Sequence, residues 1–415
     1  MRWSGAGDPV GGGAMFDLFQ FQLPTRVVAG EQALAGLADE VKALAGTGDG
    51  GCRVLLVGDR DLADAEPVRL VVDVLRSGGV EPEVFGEVVP DSSVAIVREG
   101  AEAYRSAEAA ALVAVGGGSS LDTAKAINMM VSTGQDLLDL QGVGVLEHPL
   151  RPLVAIPTTA GTGSEVTFFA MIRDAERGEK LPFVSSYLAP HLAVLVPRLT
   201  AGMPAMLTAT TGVDALTHAV EAFLSANRDP ISDALALRAA ALIWRYLPRA
   251  TACGSDLEAR AHMQVAACLA GMAFNHPMVG VVHALAHALG GRYGVPHGLA
   301  NAIFLPEGMR FNLPGNECRL VELGRAMGIP DLPAPADPGG VSAEPEALRD
   351  GALKVVEETA RFIDSLGIRR SLRAAGVGEE AVPVLAELAL SDGSLAANPR
   401  WPEFDDLAAM VRAVL

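Results

Sequence analysis

Positive charge is scarce in this chain of 415 residues. Its 32 lysines and arginines stand against 50 aspartates and glutamates, a formal net charge of −18. A surface so acidic repels phosphate backbones and anionic headgroups, which argues against nucleic acid or a membrane surface as partner. Cysteine is scarce too. Cys52, Cys253, Cys268 and Cys318 show neither metal-type spacing nor a disulfide framework, a pattern that fits a reducing cytoplasm. No apolar run reaches the ~18 residues of a membrane helix. The opening MRWSGAGDPVGGGAM lacks an apolar segment of signal-peptide length and reads as a loose tail over residues 1–15, with Met15 an alternative start. Histidine is sparse as well, with eight in the chain. Yet His283, His287 and His297 fall together in the stretch VVHALAHALGGRYGVPHGLAN, which otherwise looks like buried core.

What the chain has in plenty is apolar sequence, half of its residues. The length suggests two domains of ordinary size. RVLLVGD (53–59), PEVFGEV (82–88), ALVAVGGG (111–118), LVAIPTT (153–159) and LAVLV (192–196) read as strands, short and bounded by Gly, Pro or Asp. Helical patterns lie between them. Strands that are apolar almost throughout, alternating with helices, predict a parallel sheet covered on both faces. After about residue 200 strand signals fade and Ala/Leu-rich helical stretches take over. The expected fold is an α/β nucleotide-binding domain with a parallel sheet over 16–199 and an all-α domain over 200–415. DLPAPADPGGVSAEP (331–345) is expected to be an exposed loop.

Four patterns carry chemistry. The strand ALVAV runs into GGGSSLDTAKAI (116–127), where glycines admit a ligand close to the backbone and a helix presents its positive end. A tight strand-to-helix turn would account for the tripeptide equally well. A second loop, PTTAGTGSEVT (157–167), follows the next strand and so would share the sheet's carboxyl edge, where ligands of open α/β sheets bind. Asp59 closes the first strand, placed either to bind adenosine ribose hydroxyls or to cap a turn. Then come the histidines. His283 and His287 are four apart, as are Asp214 and His218, so each pair shares a helical face. Gly290 and Gly291 offer a helix stop, and Pro296 a turn that returns His297 toward His283. Together they could supply a carboxylate and three imidazoles to one divalent ion, a set that suits Fe²⁺ or Zn²⁺. The plain alternative is a group of unrelated core or surface histidines.

With these motifs in order along nearly the whole chain, together with GVDALTHAVEAFLS and a closing NPRW, the sequence resembles the iron-containing (group III) alcohol dehydrogenases. The resemblance implies that Asp214, His218, His283 and His297 hold the metal and that His287 lies beside the nicotinamide as a proton-handling group. It implies that Asp59 selects NAD, that Gly116, Gly117, Gly118, Ser119 and Asp122 bind the diphosphate, and that Thr158, Thr159, Thr162 and Lys180 line the rest of the groove. It further implies a small alcohol or aldehyde substrate and a homodimer. NHPMVG (275–280) departs from the Asn/Gly-rich stretch of many members, and Phe168 and Phe169 stand where polar residues also occur, so His276 reads as a pocket or packing residue. His148, His191 and His262 match nothing in the family. Two relatives of the same plan compete: a metal-independent reductase of the maleylacetate-reductase type and a lyase of the dehydroquinate-synthase type. The intact Asp and His spacings favour the dehydrogenase; a metal-binding scaffold without catalysis leaves the two loops unexplained.

Overall fold

The computed structural model describes residues 19–47, 51–62, 65–177, 179–334 and 343–415. The expected tail over 1–15 lies outside them, as does the middle of the loop expected over 331–345. In chain order the first part runs β1 (Arg26–Ala29), α1 (Leu37–Ala45), β2 (Cys52–Asp59), α2 (Glu66–Ser77), β3 (Val80–Val88), α3 (Val94–Ser106), β4 (Ala111–Gly116), α4 (Gly118–Thr133), β5 (Gly142–Val143), β6 (Leu153–Pro157), β7 (Phe169–Asp174), β8 (Glu179–Val184) and β9 (Leu192–Leu195). Six strands form a sheet in the order β1-β9-β6-β4-β2-β3, every pairing parallel.

Alternation of side chains explains why the central strands are apolar throughout. Leu55, Val57, Leu112, Ala114 and Ala155 face one core, shared with α3 and α4. Val54, Leu56, Val113, Val115, Val154 and Ile156 face another, shared with α1 and α2. Both faces are covered, so period-2 patterning disappears. Strand β3 lies at an edge and alternates buried with exposed residues. Helix α2 shows the complementary rule: Val68, Val71, Val72 and Leu75 make one buried stripe at helical spacing.

The sequence reading missed β1 and a second, three-stranded sheet in the order β5-β8-β7, in which β7 and β8 pair antiparallel. Its strands, FAMIRD and EKLPFV, carry charges and a proline and are buried only at alternate positions. A search for wholly apolar runs passes over such a half-buried hairpin.

The second part is helical: α5 (Ala205–Leu224), α6 (Pro230–Ala252), α7 (Leu257–Phe274), α8 (Val281–Tyr293), α9 (His297–Asn312), α10 (Glu317–Met327), α11 (Pro345–Ser365), α12 (Ala381–Leu390) and α13 (Phe404–Ala413). Its helices share one large apolar core. Helix α5 is buried on nearly every side over Val213–Leu224, so it runs through the centre. One expectation is corrected here. Helix α8 does not stop at Gly290 and Gly291; it runs on to Tyr293 and ends at Gly294, which takes the left-handed conformation at φ 69°. The left-handed cap, not glycine as such, ends the helix.

The two parts meet where the 157–167 loop reaches α7. A Cβ built on Gly163 would lie 2.6 Å from Gly271 Cα and 2.9 Å from Ala267 O. The backbones touch there with no side chain between them.

Candidate functional site

Strands β4 and β6 end side by side, and their loops interlock. Thr158 N donates to Gly116 O at 2.9 Å. A Cβ on Gly117 would come within 3.2 Å of Thr159 Cγ2, and one on Gly118 within 2.8 Å of Thr162 Cγ2. Gly116 has φ 159°, and a Cβ there would strike Ser120 Oγ. No side chain caps the first turn of α4, which leaves its positive end open. A cradle that any side chain would fill, under an uncapped helix end, fits a dinucleotide's diphosphate.

The other groove residues fall around this cradle. Ser119 Oγ accepts from Asp91 N at 3.3 Å, and Lys180 Nζ lies 2.6 Å from Asp91 Oδ1. Asp122 turns inward: its carboxylate accepts from Ser164 Oγ at 2.6 Å and Met171 N at 3.1 Å. Those bonds tie α4 to the second loop and to β7. Burial pushes the Asp122 carboxyl up against the pull of Lys125 and Ser164. Asp59 stands at the carboxyl end of β2 with Oδ1 accepting from Asp61 N at 2.9 Å. The turn role is therefore filled by one oxygen, and the other is left.

Facing this edge, α5, α8 and α9 bring four side chains to one point. Ligand atoms of Asp214, His218, His283 and His297 all lie within 4.8 Å of one another. Asp214 Oδ1 is 4.0 Å from His218 Nε2, 3.9 Å from His283 Nε2 and 3.4 Å from His297 Nε2. Asp214 and His218 are one turn apart on α5; His283 opens α8, and His297 is the first residue of α9. Although burial pushes Asp214 up, the imidazoles and Asn301 hold its carboxyl below the usual range. Burial drives His283 well below its ordinary value and His297 down to about 3. One anion thus meets the imidazoles of His283 and His297, both pushed toward their neutral form, beside the ring of His218. Such a set of acceptors fits a divalent cation of the iron or zinc type.

Three residues that the sequence reading did not single out complete the site. Glu221 Oε2 is 2.6 Å from His283 Nδ1, which puts the proton on that nitrogen and turns Nε2 to the cluster. The same carboxylate accepts from Gly280 N and Val282 N at the start of α8. Burial pushes it up to about 7 against those donors. Asn301, one turn beyond His297, places Nδ2 2.6 Å from Asp214 Oδ1. Asp392 Oδ2 lies 2.9 Å from His287 Nδ1. The ring of His287 stacks on that of His297 at 5.4 Å, outside the cluster of four. Helical spacing carried a signal for Glu221 and Asn301, since both extend faces already marked by ligands. Nothing local marked Asp392.

The remaining histidines are accounted for by packing. His276 Nε2 accepts from Gln22 N at 2.9 Å, and its ring meets Phe21 and Phe168. His191 Nδ1 accepts from Leu153 N, His262 stacks on Tyr246, and His148 is exposed.

Known proteins resemble this chain over nearly its whole length. Residues 24–197 match the family model described as iron-containing alcohol dehydrogenase, and residues 208–415 that of the Fe-containing alcohol dehydrogenase family, C-terminal. The chain is 38% identical over 399 residues to a 1,3-propanediol dehydrogenase of Klebsiella pneumoniae, covering 96% of this chain and 99% of the relative. It is 35% identical to an NAD-dependent methanol dehydrogenase of Bacillus methanolicus, covering 95% and 99%. A crystal structure of a 1,3-propanediol oxidoreductase superposes with TM-score 0.88 at 38% identity, covering 96% of this chain and all of the other. The chain belongs to the iron-containing alcohol dehydrogenase family. Its α/β part with a parallel sheet and its helical part are the architecture of that family's solved structures.

Proposed function

We propose that this protein is an NAD- and metal-dependent alcohol dehydrogenase that also reduces aldehydes, with division into a nucleotide-binding domain to residue 199 and a catalytic helical domain beyond. The convergence of one carboxylate and three imidazoles within 4.8 Å, opposite the glycine cradle, carries the reading. Asp214, His218, His283 and His297 are the ligands. Gly116, Gly117, Gly118 and Ser119 take the diphosphate under the α4 end, with Thr158, Thr159, Thr162 and Lys180 along the groove. Asp122 braces that groove from behind. Asp59 offers its free oxygen to the ribose hydroxyls and repels a 2′-phosphate. When bound, the metal supplies Lewis acidity toward the substrate oxygen and the nicotinamide exchanges hydride.

His287 is assigned the proton. Asp392 holds its Nδ1, which leaves Nε2 free to exchange a proton with the substrate oxygen or water. The relatives named for 1,3-propanediol and methanol support a small alcohol or aldehyde as substrate. Among the described residues no helix is long and apolar enough to cross a membrane. The four free cysteines support a cytoplasmic location and family practice a homodimer, which light scattering checks.

Metal analysis of His283→Ala and His297→Ala, together with NADH oxidation on a panel of aldehydes, tests the reading. Both variants should lose metal and turnover together; full metal content with normal turnover refutes it. His287→Ala should instead keep the metal and lose ~10²–10⁴ in turnover. Lost metal would make His287 a ligand, and unchanged turnover would leave it no chemical role.

A further inference from the structure

Asn301 is fully buried on α9, and its amide is used unevenly. Nδ2 lies 2.6 Å from Asp214 Oδ1 and 3.2 Å from both His283 Nε2 and His297 Nε2. Oδ1 has no hydrogen-bond partner among the described residues. Turning the amide over would set its oxygen against the carboxylate, so only the NH₂ end can face the cluster. A buried carbonyl without a partner is unfavourable, and it persists here because the other end is held. The atom that holds it, Asp214 Oδ1, is the one the three imidazoles face. Asn301 supplies the side-chain donor to this carboxylate, as Glu221 supplies the acceptor to His283.

We propose that Asn301 is a positioning residue of the metal centre: its N–H to Asp214 Oδ1 aims that carboxylate at the common point of the four ligands, while its longer contacts to the two imidazole nitrogens give way when a metal takes their lone pairs. The inference rests on reading those four as ligands. Groups that orient metal ligands are typically worth 10–100-fold in metal affinity. In Asn301→Leu, which keeps the branching of the side chain, and in Asn301→Ala, the Co²⁺ dissociation constant from competition with a chromogenic chelator should rise by about that factor. Thermal melts of the metal-free variants check that they fold; if the leucine variant does not, the alanine variant carries the test. An effect that passes through Asp214 should vanish in a double variant with Asp214→Asn. Unchanged or tighter Co²⁺ binding overturns the proposal, as does the same loss in the Asp214→Asn background. If His297→Ala binds Co²⁺ as the parent does, the ligand assignment itself fails. If His297→Ala loses Co²⁺ while Asn301→Leu keeps it, only the role of Asn301 fails.

Discussion

Replacing Glu221 with glutamine alters a buried point where three N–H groups meet two oxygens. Oε1 accepts from Val282 N at 2.7 Å, whereas Oε2 serves both Gly280 N at 2.9 Å and His283 Nδ1 at 2.6 Å. A glutamine has one acceptor oxygen. In the better of its two orientations the oxygen takes the place of Oε2, and the NH₂ then faces the N–H of Val282. One buried donor without a partner costs about 1–3 kcal/mol. Burial disfavours the Glu221 charge on balance, so removing that charge offsets part of this cost. The expected destabilisation is therefore on the order of 1–3 kcal/mol. His283 also loses the anion that fixes its tautomer, so metal affinity should fall about 10–100-fold. Glutamine makes permanent the uncharged form that the carboxyl approaches as pH falls through about 7. Urea midpoints of the metal-free proteins report the first quantity, and chelator competition the second. Parental values for both would refute the account of Glu221 as an acceptor for the helix end and the ligand together.

Further outcomes are expected. Hydrogen bonds from His287 and Ser394 outweigh burial and hold the Asp392 carboxyl down at about 2. A depressed carboxyl stabilises the fold above its unfolded pKa near 4, and that contribution is lost as pH falls toward 2. Asp392→Asn should thus cost about 2 kcal/mol at neutral pH and much less near pH 2, read from urea midpoints; a pH-independent difference contradicts the assignment. Gly118→Ala places a Cβ 2.8 Å from Thr162 Cγ2, inside the cradle. Its NADH dissociation constant, measured by fluorescence titration, should rise at least about tenfold while the melting temperature changes little. The parent should prefer NADH to NADPH in kcat/KM, and Asp59→Ser should narrow that preference; a parental preference for NADPH overturns the role given to Asp59.

Legibility in the sequence followed the physics of each element. Strands buried on both faces announce themselves as apolar runs, and β2, β4, β6 and β9 were read within two residues of their ends. The hairpin of β7 and β8 is buried at alternate positions only, and Arg173, Lys180 and Pro182 interrupt its apolar signal. Helical spacing paired Asp214 with His218 and His283 with His287, while the choice of the four that meet, with His287 left out, came from the family resemblance. The same spacing reaches Glu221, three residues past His218, and Asn301, four past His297. Asp392 meets His287 across 105 residues of chain, a relation that only the packing of the helical half determines. The end of α8 was misplaced because two glycines sit inside the helix and a third, in the left-handed conformation, ends it.

Where Gly163 and Gly271 touch, the groove loop rests on α7 main chain to main chain. Side chains can absorb a small displacement by changing rotamer; main-chain atoms in contact cannot. Nearby, Asn275 at the end of α7 donates to Val166 O at 2.8 Å and accepts from Phe168 N at 3.0 Å. The loop is thus gripped at two places along one helix. In mechanical terms this is a bearing with little play. A rocking of the sheet against the helices that kept this contact would have to turn about it. A side chain larger than hydrogen at either glycine would wedge that bearing and push the loop and the helix apart there.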